Sequence, residues 1–437
     1  MIDRSNFGLV LCIAPSLLSA DMLSAASPAA SPVRLAMAAS GWETRGNAKF
    51  VVDAAHPDGI LDLAHASATS KGLTFIDGTI DFDVKLTGSG ILGVKFRDMG
   101  HRAAEVFYMR PQPNCATSDD CIQYMPFENG AYEWDEYPEY QAKAPLNPTG
   151  WNHVRLVVSG LRMNVFVNGA TTPTLAVGRL AGDARAGAIS LSGPARYANV
   201  TVRSGVTDGL SPTPESDPTA TDPRYIRTWR TAGPVTLASK QDPELKVPTG
   251  VDPDYHAMPS ARATWTVTKA QDKGIVDMSR ALGSSGDGAV ISLGWAKTII
   301  VSDRDQMRRV SFGWLREAWV YVNGSRVFAG RNLYGTPTSR GNDGRLRLDD
   351  GAFDLPLKKG RNEVVVALDD NFSGGQHFGW GFAMRLGSIA GVHLQGGAAD
   401  GAATPANYRP RRFRAVRASA ITRIVAAITA SGFISWM

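Results

Sequence analysis

A chain of 437 residues is long enough for two ordinary hydrophobic cores, and its formal net charge of +5 says little about them. Much of the positive excess falls on Arg409, Arg411, Arg412, Arg414, Arg417 and Arg423 near the C-terminus, and basic residues are not interleaved with aromatic ones, which argues against a nucleic-acid partner. The 45 glycines, 25 prolines and many short alternating runs, with no long segment of 3.6-residue period in the middle, exclude a helical protein and predict an all-β chain.

The chain starts with one Arg, an apolar run from Phe7 to Leu18 and then small residues, an order that predicts an export signal; the run is too short to cross a bilayer. A buried or disordered N-terminal arm is the alternative. Residues 1–40 are thus expected to be a signal and flexible leader, and the protein to be secreted or periplasmic. Of three cysteines, Cys12 would leave with the leader. Cys115 and Cys121, with five residues between them, are expected in an exported protein to form a disulfide that ties off a loop.

Strands are expected at Trp42–Asp53, Ile60–Leu73 and Thr79–Leu86, the last with Ile80, Phe82, Val84 and Leu86 alternating with Thr79, Asp81, Asp83 and Lys85. The next run alternates Leu92, Val94 and Phe96 with Lys95 and Arg97, predicting a half-buried strand with cations on its free face. Glu105–Arg110 sets Val106, Tyr108 and Arg110 opposite Glu105, Phe107 and Met109. After the cysteine loop and the aromatic, acidic run MPFENGAYEWDEYPEY come Trp151–Val158 and Arg162–Val167, with Asn168-Gly169 as a type I′ turn signal, then Ala188–Leu191 and Ala198–Val202.

The candidate ligand-binding set is Lys95, Arg97, Tyr108, Arg110, Gln123, Tyr124 and Trp134. It joins hydroxyl-binding polar groups to aromatic platforms, the two kinds of partner a sugar needs. The structural alternative places Tyr108 and Tyr124 in the core and pairs Arg97 with Asp98 or Glu105. If the chain cleaves glycosidic bonds, the carboxyl pair is expected among Glu105, Glu128, Asp135 and Glu136, with Glu105 and Glu128 as the first candidates for catalysis. No zinc-type ligand set is present, so no metal is assigned; calcium at Asp77, Asp81 and Asp83 competes with a solvated polar face.

The succession DGTIDFDVKL, GILGVKFRD, EVFYMRP, IQYMP, WNHVRLVVSGLRMNVFVNG, GAISL and ARYANVTV resembles the concanavalin A-like lectin/glucanase (laminin G-like) sandwich, near the 3-keto-disaccharide hydrolase type. This covers about residues 41–205. The resemblance implies a β-sandwich whose relatives include lectins, glycosidases and adhesion modules. The E-x-D-x-x-E strand of the retaining glucanases is absent. Residues 206–224, rich in Pro, Ser, Thr and Asp, read as a linker.

A second alternating pattern over 225–392, with AWVYVNGSRVFAG, FDLPLKKGRNEVVVAL and FGWGFAMRL, resembles the galactose-binding-like jelly roll. Its Trp295, Trp314, Trp319, Tyr334, Arg331, Asn332, Arg340, Asn342, Asp343, His377 and Trp380 make a candidate second sugar face, with Trp319 and Trp380 more at home in a core. Residues 393–437 form a basic and apolar tail without a firm membrane span. The expected fold is two jelly-roll sandwiches in tandem. The leading reading is a carbohydrate-binding protein; a glycoside hydrolase and an envelope adhesion module are the alternatives.

Overall fold

The computed structural model describes residues 31–88, 90–283, 290–341, 343–372 and 378–395. The expected leader and the basic tail therefore lie outside the described residues, apart from residues 31–40 and 393–395 at their inner ends. The described chain is almost entirely antiparallel β structure, with one α-helical turn at Met278–Leu282.

The first group of strands is continuously hydrogen-bonded in the order Leu175–Val177, Arg162–Val167, Trp151–Ser159, Gly78–Leu86, Ala195–Ser204, His56–Ser70, Ala188–Ser192, Leu92–Asp98, Ala103–Met109, Ile122–Glu128, Ala131–Tyr132. The long His56–Ser70 strand turns the sheet back on itself. Leu61–Leu63 pair with Ala195–Tyr197, whereas Ser67–Thr69 pair with Ser190–Ser192. Inward side chains from both halves, among them Phe82, Val84, Leu156, Val94, Phe107 and Tyr124, pack into one core. That is a sandwich, as the period-two pattern requires. Asn168 and Gly169 both take positive φ (53° and 74°), the backbone a type I′ turn demands.

The second group forms a seven-stranded and a four-stranded sheet. The larger runs Thr266–Lys269, Thr228–Leu237, Ile291–Ser302, Gly360–Asp369, Arg316–Val322, Ser325–Asn332, with Val392–Gln395 also pairing with Ile291–Ser302; the smaller runs Ile275–Asp277, Gly381–Leu386, Gln306–Trp314, Gly351–Leu357. Trp229, Trp314, Trp380 and Phe382 fill the core between them. The outer face of the larger sheet is covered as well, by Tyr255, Met258 and Trp265, which bury Trp295, Trp319 and Tyr321. This explains why its central strands lack a polar face.

Residues 207–222 are not a free tether. Leu161 N–H donates to Pro212 C=O, Glu215 N–H to Gly178 C=O, and Arg162 pairs with Glu215, so the stretch lies along the first sandwich. Its prolines and carboxylates, which resemble linker composition, are held by backbone and arginine partners. The two strand groups meet over a broad buried junction. Gly379 N–H donates to Tyr132 C=O, Leu346 N–H to Asp135 C=O, and Arg316 pairs with Asp135. Among the described residues no helix is long and apolar enough to cross a membrane.

Candidate functional site

A cleft opens on the outer face of the first sandwich, across the strands that carry Arg45, Ser67, Thr69, Lys95, Ser190 and Phe127. Alternation builds its floor. Ala66, Ala68, Ile189 and Leu191 turn into the core, so Ser67, Thr69, Ser190 and Ser192 turn out as a row of hydroxyls. Thr69 Oγ1 lies 2.8 Å from Ser190 Oγ, Ser190 donates to Asp98 Oδ2 at 2.5 Å, and Ser192 Oγ accepts from Gly93 N–H at 3.1 Å.

The far wall is aromatic. Phe127 and Tyr132 pack at 4.7 Å between ring centroids, and the Lys95 ammonium sits 3.9 Å and 4.8 Å from them. Burial of that ammonium pushes its pKa down to about 8, against the partly compensating charge of Asp98. Arg45 and His101 are exposed at the rim. Asp98 is the one carboxylate lining the cleft among the described residues.

Of the expected ligand-binding residues, the structure brings Lys95 alone to this cleft. Arg97 is turned away by a bulge. Ser190 pairs with Lys95 but Ala188 with Asp98, so the Leu92–Asp98 strand holds one extra residue there. Arg97 takes φ of +52° and is buried, donating to Ile76 C=O, Gly160 C=O and Asp77 Oδ1 at 2.7 Å. Asp98, not Arg97, rejoins the outer face, and Asp77 is the partner of Arg97 rather than Asp98 or Glu105.

Tyr108, Gln123, Arg110 and Trp134 do share one outer face, but the second sandwich covers it. Tyr108 O–H donates to Gln123 Oε1 at 2.6 Å, Gln123 Nε2 donates to Trp134 C=O at 2.6 Å, and Arg345 reaches Gln123 Oε1 at 3.1 Å. The Trp134 ring packs on Tyr334 and Phe378, with the Arg345 guanidinium 4.6 Å and that of Arg110 5.8 Å from its centroid. Arg110 also pairs with Asp120 at 3.2 Å. The aromatic and acidic run is thus a seat for the second sandwich.

Glu105 and Tyr124 point to the opposite side of their strands. Tyr124 O–H donates to Glu105 Oε2 at 2.6 Å and its oxygen accepts from Ala181 N–H, with both side chains fully buried. Glu128 accepts from Asp183 N–H at 2.6 Å and lies 3.8 Å from Arg280. Burial pushes the Glu128 carboxyl up to about 7. Arg280 gathers further acids, Glu133 at 3.7 Å, Asp183 and Asp277 at 2.7 Å. Burial, then the charges of neighbouring carboxylates, pushes Glu133 and Glu136 well above the ordinary range. The structure therefore places both expected catalytic carboxyls away from the cleft.

Cys115 and Cys121 form the disulfide. Asp77, Asp81 and Asp83 are engaged by Arg97, Arg155 and His153, and no group of three or more His, Cys, Asp or Glu able to hold a metal ion occurs among the described residues. In the second group Trp295, Trp314, Trp319 and Trp380 are core residues, and Tyr334 packs on Trp134. Asn332 donates to Trp314 C=O, Arg340 lies over the Trp314 ring, and Asp343 pairs with Arg345 and Arg347. Arg331 is bound to Glu317 and Asp242. Asn342 and His377 lie outside the described residues.

The family described as the 3-keto-alpha-glucoside-1,2-lyase-like domain matches residues 37–203. No curated protein matches the chain. Among solved structures, it is similar to the carbohydrate-binding module CBM66 from Bacillus subtilis, at 16% identity over 37% of this chain and 91% of that one, TM-score 0.26. A galectin-like protein of unknown function from Bacillus subtilis matches at 15% identity over 40% and 97%, TM-score 0.28. A putative glycosyl hydrolase from Parabacteroides distasonis matches at 14% identity over 38% and 88%, TM-score 0.26.

Proposed function

We propose that the protein binds carbohydrate in the cleft between Arg45, Lys95 and Phe127. The observation that carries this reading is one groove with a floor of four aligned hydroxyls, Ser67, Thr69, Ser190 and Ser192, and a wall of two rings, Phe127 and Tyr132. A sugar ring presents hydroxyls that donate and accept beside an apolar C–H face, and such a groove answers both. The match of residues 37–203 to a glucoside-related domain family supports the same ligand class. The reading extends to export, supported by the N-terminal apolar run and the disulfide, and to a galactose-binding-like second sandwich over 225–392, supported by the Val322-Asn323-Gly324 hairpin.

A glycan-cleaving reading has one specific support: the Glu128 carboxyl, raised to about 7, has the acidity of a general acid at neutral pH. It is 3% exposed and lies off the cleft, so binding is favoured. The test is a glycan array with the purified protein, the cleft variants Phe127→Leu and Thr69→Val, and product analysis on every binder. Binding lost in both variants without product is the expected result. Product formation that Glu128→Gln abolishes would replace binding by cleavage as the function, and no binding to any glycan would overturn both readings.

A further inference from the structure

The cleft holds more positive charge than its own residues neutralise. The Lys95 ammonium makes no hydrogen bond and no ion pair among the described residues; its neighbours are the faces of Phe127 and Tyr132. Arg45, exposed at the rim, has no polar partner there either. The one carboxylate that lines the cleft among the described residues, Asp98, offsets the Lys95 charge only in part. Asp98 takes Ser190 O–H on Oδ2 and Gly100 N–H, at 2.8 Å, on Oδ1. Two cations thus face one carboxylate, which these hydrogen bonds hold to the floor and the following turn. A half-buried cation without an anionic partner is costly, and the protein keeps this one beside a groove open to solvent.

We propose that the ligand of this cleft is an anionic glycan, whose carboxylate or sulfate pairs with Lys95 and is approached by Arg45 while its ring lies along the hydroxyl floor. This rests on the carbohydrate reading of the same cleft and narrows it to acidic sugars. The geometry suits an anion better than a neutral hydroxyl. A charge-assisted bond to Lys95 supplies the missing partner, and the aromatic wall shields it from water. The pKa of Lys95, pushed down first by burial and then by the charge of Arg45, agrees with an ammonium short of anionic partners, and a bound anion would raise it again.

The test compares a galacturonic acid trisaccharide, a sulfated galactose oligosaccharide and a neutral galactose trisaccharide by calorimetry at low and high salt, beside an array carrying uronic, sulfated and neutral glycans. The expected result is that at least one acidic glycan binds about tenfold or more tightly than its neutral counterpart. That preference should shrink in salt and vanish in Lys95→Gln. Arg45→Gln, a change at an exposed position, should weaken it without touching the fold, which keeps the test valid if Lys95→Gln folds poorly. Which of the two acidic classes binds identifies the anion. Neutral glycans bound as tightly as acidic ones, or a preference that survives Lys95→Gln, would overturn this inference and leave the sugar-binding cleft standing. Binding to no glycan at all would overturn both.

Discussion

Arg316 and Asp135 meet at 2.6 Å with neither side chain exposed, one from each sandwich. Arg316 also donates to Gly379 C=O and lies over the Phe372 ring, so the pair stands at the centre of the junction. Removing one partner strands a buried charge. Arg316→Met or Asp135→Leu alone is expected to cost about 3–5 kcal/mol, and the double change less than the sum. Urea unfolding of the two single variants and the double variant checks this.

The buried carboxyls set a pH dependence. Glu128 has an ordinary value of 4.5 when unfolded and about 7 when folded, so the folded state binds its proton more tightly. Stability is fullest below 4.5 and falls as pH rises to about 7. Glu133 and Glu136, held well above the ordinary range, extend the fall further. His153, raised from 6.5 to about 9 by Asp81 and Asp83, acts in the same direction: its contribution is complete below 6.5 and lost through about 9. Melting temperature should therefore drop from pH 5 to about pH 8, above which Lys95, lowered to about 8, works in the opposite direction, and Glu128→Gln should flatten the part below 7.

Gly187 sits against the bulge that turns Arg97 inward. A Cβ there would lie 2.4 Å from both the Arg97 carbonyl carbon and the Asp98 carbonyl oxygen, backbone atoms that cannot swing aside. Gly187→Ala is expected to lose about 1–3 kcal/mol of stability and to weaken glycan binding, because Asp98 shifts with the bulge. Gly41→Ala, whose nearest neighbour is 3.6 Å away, serves as the near-neutral control in both measurements.

Cys115 and Cys121 are six positions apart, so their bond closes a short loop. Loop-closure entropy for that length stabilises by about 2 kcal/mol. Reduction, or Cys115→Ser with Cys121→Ser, should lower the melting temperature by a few degrees and leave cleft binding intact, since the loop lines the other end of the sheet.

The strands were legible because their cause is local. Ile80, Phe82 and Val84 alternate with polar neighbours, and Asn168-Gly169 and Asn323-Gly324 take the positive φ of hairpin turns. What the sequence hid is non-local. One extra residue near Arg97 reverses which side chains face out, and alternation carries no mark of it. The burial of Tyr108, Gln123 and Trp134 depends on Tyr334 and Arg345, some two hundred residues away along the chain. The hydroxyl floor left a readable trace, Ser67 and Thr69 beside Ala66 and Ala68, Ser190 and Ser192 beside Ile189 and Leu191. Small hydroxyls in strands are common, so the trace draws no attention until the two strands are seen to pair.

The seating of Tyr334, Phe372 and Phe378 on Trp134 and its neighbours also decides what can be inherited separately. A fragment ending near Ser204 would bring Tyr108, Met125 and Trp134 into water as one greasy patch, which invites self-association. The first sandwich is therefore not a portable cassette that recombination could graft onto another protein by itself. It travels with its neighbour or carries substitutions at those positions.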